Sequence, residues 1–240
     1  QWLLPHFDDA QLGGVSGSYG NMRPDNLLAC LIHEEIIERH RQMPPRVNFL
    51  ATFNVVYRRA ALEQVNGFDE RFLKGQDAEL SWRVLAAGYA LGFDIRSRVK
   101  HYHETSWRGY LRTQRQQGYW RAWLHLTHKG HAAGDSYSSA VDHLQPPLAL
   151  LTVAALPTLL VAPARGVFPV LVVLLGLLHT PRTVRLVRRT GRRKYLMFLP
   201  MSMIRSLYRG AGLTAGVFGY LRQRTRRQPT TKNQYRRSDA

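Results

Sequence analysis

The chain has 240 residues, 45% of them hydrophobic, which is ordinary for one medium domain with a buried core plus an appendage. Its single cysteine, Cys30, excludes an intrachain disulfide and so implies no oxidising compartment. The formal net charge of +18 invites a nucleic-acid reading, yet residues 1–145 carry 17 Lys/Arg against 15 Asp/Glu, while residues 181–240 carry 16 against 1. The basic excess therefore belongs to the tail.

Gln1-Trp2-Leu3-Leu4 runs into Phe7-Asp8-Asp9 with no signal-peptide pattern, so the chain is expected to begin inside a domain. Gly13, Gly14, Gly17 and Gly20 suggest strand ends and turns near Val15. From Asp25 to Arg41, Leu27, Leu28, Leu31, Ile32, Ile36 and Ile37 recur at helical spacing, with Pro44-Pro45 as the stop. His33, Glu34, Glu35, Glu38 and Arg39 are expected mostly on the solvent side of this helix. Val47 to Tyr57 reads as a strand and Ala60 to Val65 as a short helix before an Asn66-Gly67 turn. A second helix follows Gly75, with Leu80, Val84 and Ala87 on one face and Gly88 as its left-handed stop. Tyr89 to Phe93 and Ser97 to Tyr102 read as two short strands, and Ser106 to Leu126 as a helix rich in Trp and Arg.

The tail changes character at Pro146-Pro147. Leu148 to Ala162 and Val167 to Leu178 are apolar runs, each shorter than the roughly 20 residues that span a bilayer, and together they suggest a spanning or re-entrant helical hairpin over residues 146–180. A buried soluble helix pair is the alternative. Arg182, Arg185, Arg188, Arg189, Arg192, Arg193 and Lys194 follow at once, which puts the hairpin's exit on the cytoplasmic side. Tyr195 to Leu221 carries Arg205 and Arg209, costly at mid-depth, so residues 181–227 are expected as basic, amphipathic interfacial helices. Residues 228–240 are polar and expected to be disordered.

The most informative stretch runs from Asn66-Gly67-Phe68-Asp69-Glu70-Arg71-Phe72 through Gly75-Gln76-Asp77-Ala78-Glu79-Leu80-Ser81-Trp82-Arg83 to Ala87-Gly88-Tyr89. It sets a carboxylate where a helix begins. Asp there can simply cap backbone amides and complement the macrodipole. The same stretch, however, resembles the corresponding block of the family 2 inverting glycosyltransferases of GT-A fold. Val99-Lys100-His101 is similar to that family's Val-x-His strand end, Gln116-Gln117-Gly118-Tyr119-Trp120 to its Gln-x-x-Arg-Trp acceptor motif, and Asn54 with Arg58-Arg59 to its Asn-x-x-x-Arg-Arg stretch.

The resemblance implies Asp77 as the general base that deprotonates an acceptor hydroxyl. Gln76 replaces the family's Glu. Together with Glu79, Gln116, Trp120, Asn54 and Arg58 it is implied in acceptor binding, although a polar strand exit explains Asn54 and Arg58 equally well. Trp120 could stack on a sugar ring, or with Trp107 and Trp123 anchor at a lipid interface. His101 is implied as a ligand of a divalent metal, Mg or Mn. His103 is its competitor, since strand alternation points both to one face. The family's Asp-x-Asp metal motif does not occur and Asp8-Asp9 does not replace it, so the metal is expected only with an N-terminal nucleotide-binding half lying before Gln1.

The expected fold class is α/β: the C-terminal, acceptor-binding part of a GT-A, Rossmann-like domain over residues 1–145, then an α-helical membrane-associated tail. The expected partners are a nucleotide-sugar donor, a glycan or lipid-linked acceptor and membrane lipids, with no nucleic acid, at the cytoplasmic face of an inner (plasma) membrane. A non-catalytic, membrane-bound binding or scaffold subunit is the alternative, favoured by Gln76 and Tyr119 at the family's Glu and Arg positions.

Overall fold

A computed structural model describes residues 2–128 and 135–227. The sequence expectation for residues 228–240 lies outside the described residues. A short 3-10 turn, Leu4–Asp8, leads into β1 (Leu12–Asn21), which is followed by α1 (Leu27–His40), β2 (Arg46–Val47), β3 (Val55–Tyr57), α2 (Arg59–Gln64), α3 (Gln76–Ala86), β4 (Ala90–His101) and α4 (Trp107–Thr127). The tail adds α5 (Ala140–Ala154), 3-10 turns at Leu156–Leu160 and Ala162–Ala164, α6 (Val167–Thr190), a 3-10 turn at Arg193–Met197 and α7 (Phe198–Arg227).

The sheet has the order β2-β4-β1-β3, with β1 and β4 parallel at its centre and β2 and β3 antiparallel at the edges. The glycines of β1 are therefore not turns. A Cβ at Gly14 would lie 2.6 Å from the Tyr57 ring, and one at Gly17 2.4 Å from Asn54 Nδ2, so side chains from neighbouring strands and loops lie directly over the strand. The two strands expected at 89–93 and 97–102 form one strand, β4. Its ladder with β1 skips from Asp94 to Arg98, and the three bypassed residues account for the apparent break. Conversely, the single strand expected over 47–57 is split, because residues 48–54 leave the sheet as a loop.

Local rules explain the helix ends. Asn26 Oδ1 accepts the Ala29 amide at 3.0 Å to start α1, and Ser106 Oγ accepts the Gly109 amide at 3.3 Å to start α4. Helix α5 begins six residues before Pro146, because Asp142 accepts the amide of Ser139 at 3.0 Å. Val47, Leu50, Ala61, Leu80, Val84, Leu91 and Phe93 seal α2 and α3 to the sheet. A second core, with Leu28, Leu31, Tyr110, Leu186, Tyr195, Phe198 and Met201, joins α1 to α4, α6 and α7.

That second core comes with charge. Glu35, Glu38 and Arg39 are buried, not solvent-facing, which corrects the expectation for α1. Glu35 bonds Arg39 at 2.9 Å and Arg205, Asp142 bonds Arg39 and Arg182 at 2.9 and 2.7 Å, and Glu38 bonds Arg185 and Arg189, each at 3.1 Å. Part of the basic run after the hairpin thus docks on α1.

Helix α7 runs parallel to α4, as shown by the ordered approaches Arg115 to Gly212, Tyr119 to Gly216 and Trp123 to Tyr220. A Cβ at Gly212 would lie 2.0 Å from the Arg115 carbonyl oxygen, so only glycine lets the two backbones meet there. Within the segment expected to be interfacial, this glycine edge is packed against α4, while Ile204, Tyr208, Phe218 and Leu221 remain exposed. Ala140–Leu160 and Ala162–Thr190 are long and apolar enough to cross a membrane, by length and composition, and Leu151, Leu160, Val170, Val173 and Leu177 on them are exposed.

Candidate active site

A cleft of about 830 Å³ opens where the start of α3, the ends of β1 and β4, the 48–54 loop, and helices α4, α5 and α7 converge. Gly75, at φ +77°, is the N-cap of α3, so Gln76 and Asp77 are the first two helical residues. The capping position itself is thus glycine, and Asp77 enters the cleft wall. Its Oδ1 accepts the Ala78 amide at 3.0 Å. Burial pushes its pKa above the ordinary 3.8, outweighing the helix-start amides and Arg121, which pull it down. Ser81 Oγ ties the two walls together: it donates to the Asp77 carbonyl at 2.6 Å and accepts the Leu50 amide at 3.0 Å. Gln76 lines the cleft as well, and its buried Oε1 has no donor among the described residues.

The other sequence candidates divide. Trp120 lines the cleft, its ring 6.0 Å from Phe72 and 5.6 Å from Trp123. Gln116 is exposed and turned away, whereas Gln114, Gln117, Arg121 and Leu124 share the cleft-facing side of α4. The spacing 114, 117, 121, 124 is helical, and that periodicity would have found Gln117. Glu79 is 1% exposed and lies outside the cleft, bonding Arg83 at 2.6 Å and approaching His128 at 3.2 Å. Arg83 in turn donates to the Val65 carbonyl, so Glu79 orders the loop below α3. Asn54 also lies outside the cleft: its Nδ2 bridges the Ser18 and Ser97 carbonyls at 3.0 and 3.2 Å, closing the ladder break between β1 and β4. Arg58 donates to the carbonyls of Leu12, Phe7 and Asp9 and holds the N-terminal turn against β1.

His101 and His103 both line the cleft, with their rings 4.7 Å apart. His101 stacks on Tyr19 at 4.7 Å and its buried Nδ1 has no partner among the described residues. His103 Nε2 lies 3.2 Å from His33 Nδ1, and burial pushes the His103 pKa down to about 3, so it is neutral at neutral pH. Among the described residues no three His, Cys, Asp or Glu side chains are grouped to hold a metal ion. The sequence reading did not foresee Arg205 and Arg209 of α7 or Arg39 of α1 in the cleft wall.

The chain is 28% identical over 116 residues to the pre-mycofactocin glycosyltransferase of Mycobacterium tuberculosis, strains CDC 1551 / Oshkosh and ATCC 25618 / H37Rv alike. The similarity is distant and partial. It covers 45% of this chain, and the chain spans about a quarter of the length of these curated relatives, 25% in each case. No family model matches the chain.

Proposed function

We propose that the cleft transfers a sugar, with inversion, from a nucleotide diphosphate donor to an acceptor hydroxyl at the cytoplasmic face of a membrane. The observation that carries this is Asp77: an acidic side chain in the cleft wall, beside rather than in the N-cap position, with its pKa raised by burial. The acceptor oxygen attacks the anomeric carbon as the bond to the departing diphosphate breaks, and Asp77 takes the acceptor's proton. A raised pKa makes it a stronger base than an exposed aspartate. Trp120 offers a flat face for a sugar ring, and Gln76 Oε1 and Gln117 offer acceptor-positioning groups.

A divalent cation is part of the proposal only in a limited way. Of the two histidines implied, His101 keeps an unpartnered Nδ1 and His103 Nε2 is engaged by His33, and among the described residues no three ligating side chains are grouped, which falls short of the several oxygen ligands Mg or Mn prefers. No step is routed through it. The hairpin of α5 and α6, with its exposed Leu and Val side chains, would hold the cleft at the bilayer surface.

Asp77→Asn tests the reading in a full-length enzyme. Turnover is expected to fall by several orders of magnitude, and a rate within tenfold of the parent rejects Asp77 as the base. The same variant should melt higher than the parent at neutral pH. A carboxylate whose folded pKa is raised binds its proton more readily when folded, so ionisation at pH 7 opposes folding and a neutral amide removes that opposition.

A further inference from the structure

The wall of the cleft built by α1, α5 and α7, with Arg182 of α6 bonded behind it to Asp142, gathers more guanidiniums than carboxylates. Four guanidiniums, those of Arg39, Arg182, Arg205 and Arg209, meet two carboxylates, Glu35 and Asp142. Arg39 and Arg182 are satisfied by both acids. Arg205 is 2% exposed and reaches Glu35 through Nη1, yet its Nη2 is buried with no acceptor among the described residues. Among the described residues Arg209 has no carboxylate partner: Nε donates to Gln114 Oε1 at 2.8 Å and Nη2 to Gln117 Oε1 at 3.0 Å. Two neutral amides thus fix the plane of the Arg209 guanidinium, and its Nη1 keeps both N–H groups unused among the described residues. Burial and the charge of Arg205 pull the Arg209 pKa down to about 10, so it remains charged at neutral pH.

Arg205 is buried with one nitrogen orphaned among the described residues, and such a charge costs several kcal/mol unless an anion completes it. A pre-aimed guanidinium fork beside a second orphaned N–H suits phosphate oxygens. We propose that Arg209 and the free Nη2 of Arg205, braced by Gln114 and Gln117, form a phosphate-binding subsite in the α4–α7 wall of the cleft. As a statement about substrate class it rests on the sugar-transfer reading, and it makes the acceptor or an adjacent ligand phosphorylated. Pro146, on the apolar helix α5, also lines the cleft, so the phosphate can come from a lipid headgroup or from solution.

Titration calorimetry on the chain in nonionic detergent tests it with two probes, inorganic phosphate and micelles doped with phosphatidic acid, against phosphatidylcholine-doped micelles as the blank. Binding of inorganic phosphate assigns a soluble source; binding of phosphatidic acid alone assigns a lipid-borne one. In either arm Arg209→Gln should weaken binding at least tenfold. Gln117→Glu, a change at an exposed residue that sets a carboxylate against Arg209, should weaken it at least fivefold. Asp77→Asn should bind within twofold of the parent, so failure of the general-base reading leaves this result intact. The subsite is overturned if the parent binds neither probe, or if both Arg209→Gln and Gln117→Glu, with parental helix content, bind as tightly as the parent.

Discussion

Replacing Glu35 with Gln tests how the tail is held to the sheet domain. The carboxylate is 6% exposed, accepts Arg39 Nη2 at 2.9 Å, bonds Arg205 Nη1, and lies 3.5 Å from Arg182. Glutamine keeps the shape but removes the charge and turns an NH2 group toward one of the guanidiniums. Losing one partner of a buried ionic cluster costs about 3 to 5 kcal/mol. At roughly 2 to 4 °C per kcal/mol for a chain of this size, the melting midpoint should fall by about 6 to 20 °C. Burial alone would raise the Glu35 pKa, but Arg205, Arg39 and Arg182 outweigh it and hold it well below the ordinary 4.5. With a folded pKa below the unfolded one, the stabilisation is complete above about pH 4.5 and disappears as pH falls toward the folded value. Circular dichroism melts in detergent should therefore show a constant gap between parent and variant from pH 7 to pH 5, narrowing below. Arg71→Ala, which breaks an exposed pair with Asp69, serves as the control and should change stability by less than about 1 kcal/mol. A Glu35→Gln midpoint within 2 °C of the parent at pH 7 would refute the buried-cluster argument.

Gly212→Val should push α7 off α4, because its Cβ would meet the Arg115 carbonyl at 2.0 Å. Denaturant titration should show a loss of about 1 to 3 kcal/mol or more, whereas Gly176→Ala, where nothing lies within 4 Å, should be neutral or stabilising. The double change Leu160→Glu and Val170→Glu places two charges on the exposed apolar surface of the hairpin. Co-flotation with phospholipid vesicles should drop at least tenfold, and unchanged flotation would remove the hairpin as the membrane contact.

Much of the local structure could be read from spacing alone. Helices α1, α3 and α4 follow from their apolar periodicity, and the Asn66-Gly67 and Gly88 positions have the positive φ angles expected of them. Such features depend on residues within a turn or two of one another. The position of Asp77 at the start of α3 was legible for the same reason.

What escaped the sequence depends on partners far along the chain. Gly14 and Gly17 look like turn residues until Tyr57 and Asn54 are seen packed over them. Glu35 looks solvated because its partner Arg205 lies 170 residues away, and Arg205 looks misplaced in an apolar segment until Glu35 meets it. Gln116 and Gln117 are adjacent in sequence, and only the docking of α7 on α4 decides that Gln117 holds Arg209 while Gln116 faces solvent. The sequence by itself determined where α1, α2, α3 and α4 start and stop and which carboxylate heads α3, because backbone geometry and capping are local. Tertiary structure alone decided which charges are buried together, because desolvation and pairing depend on whatever the fold brings alongside.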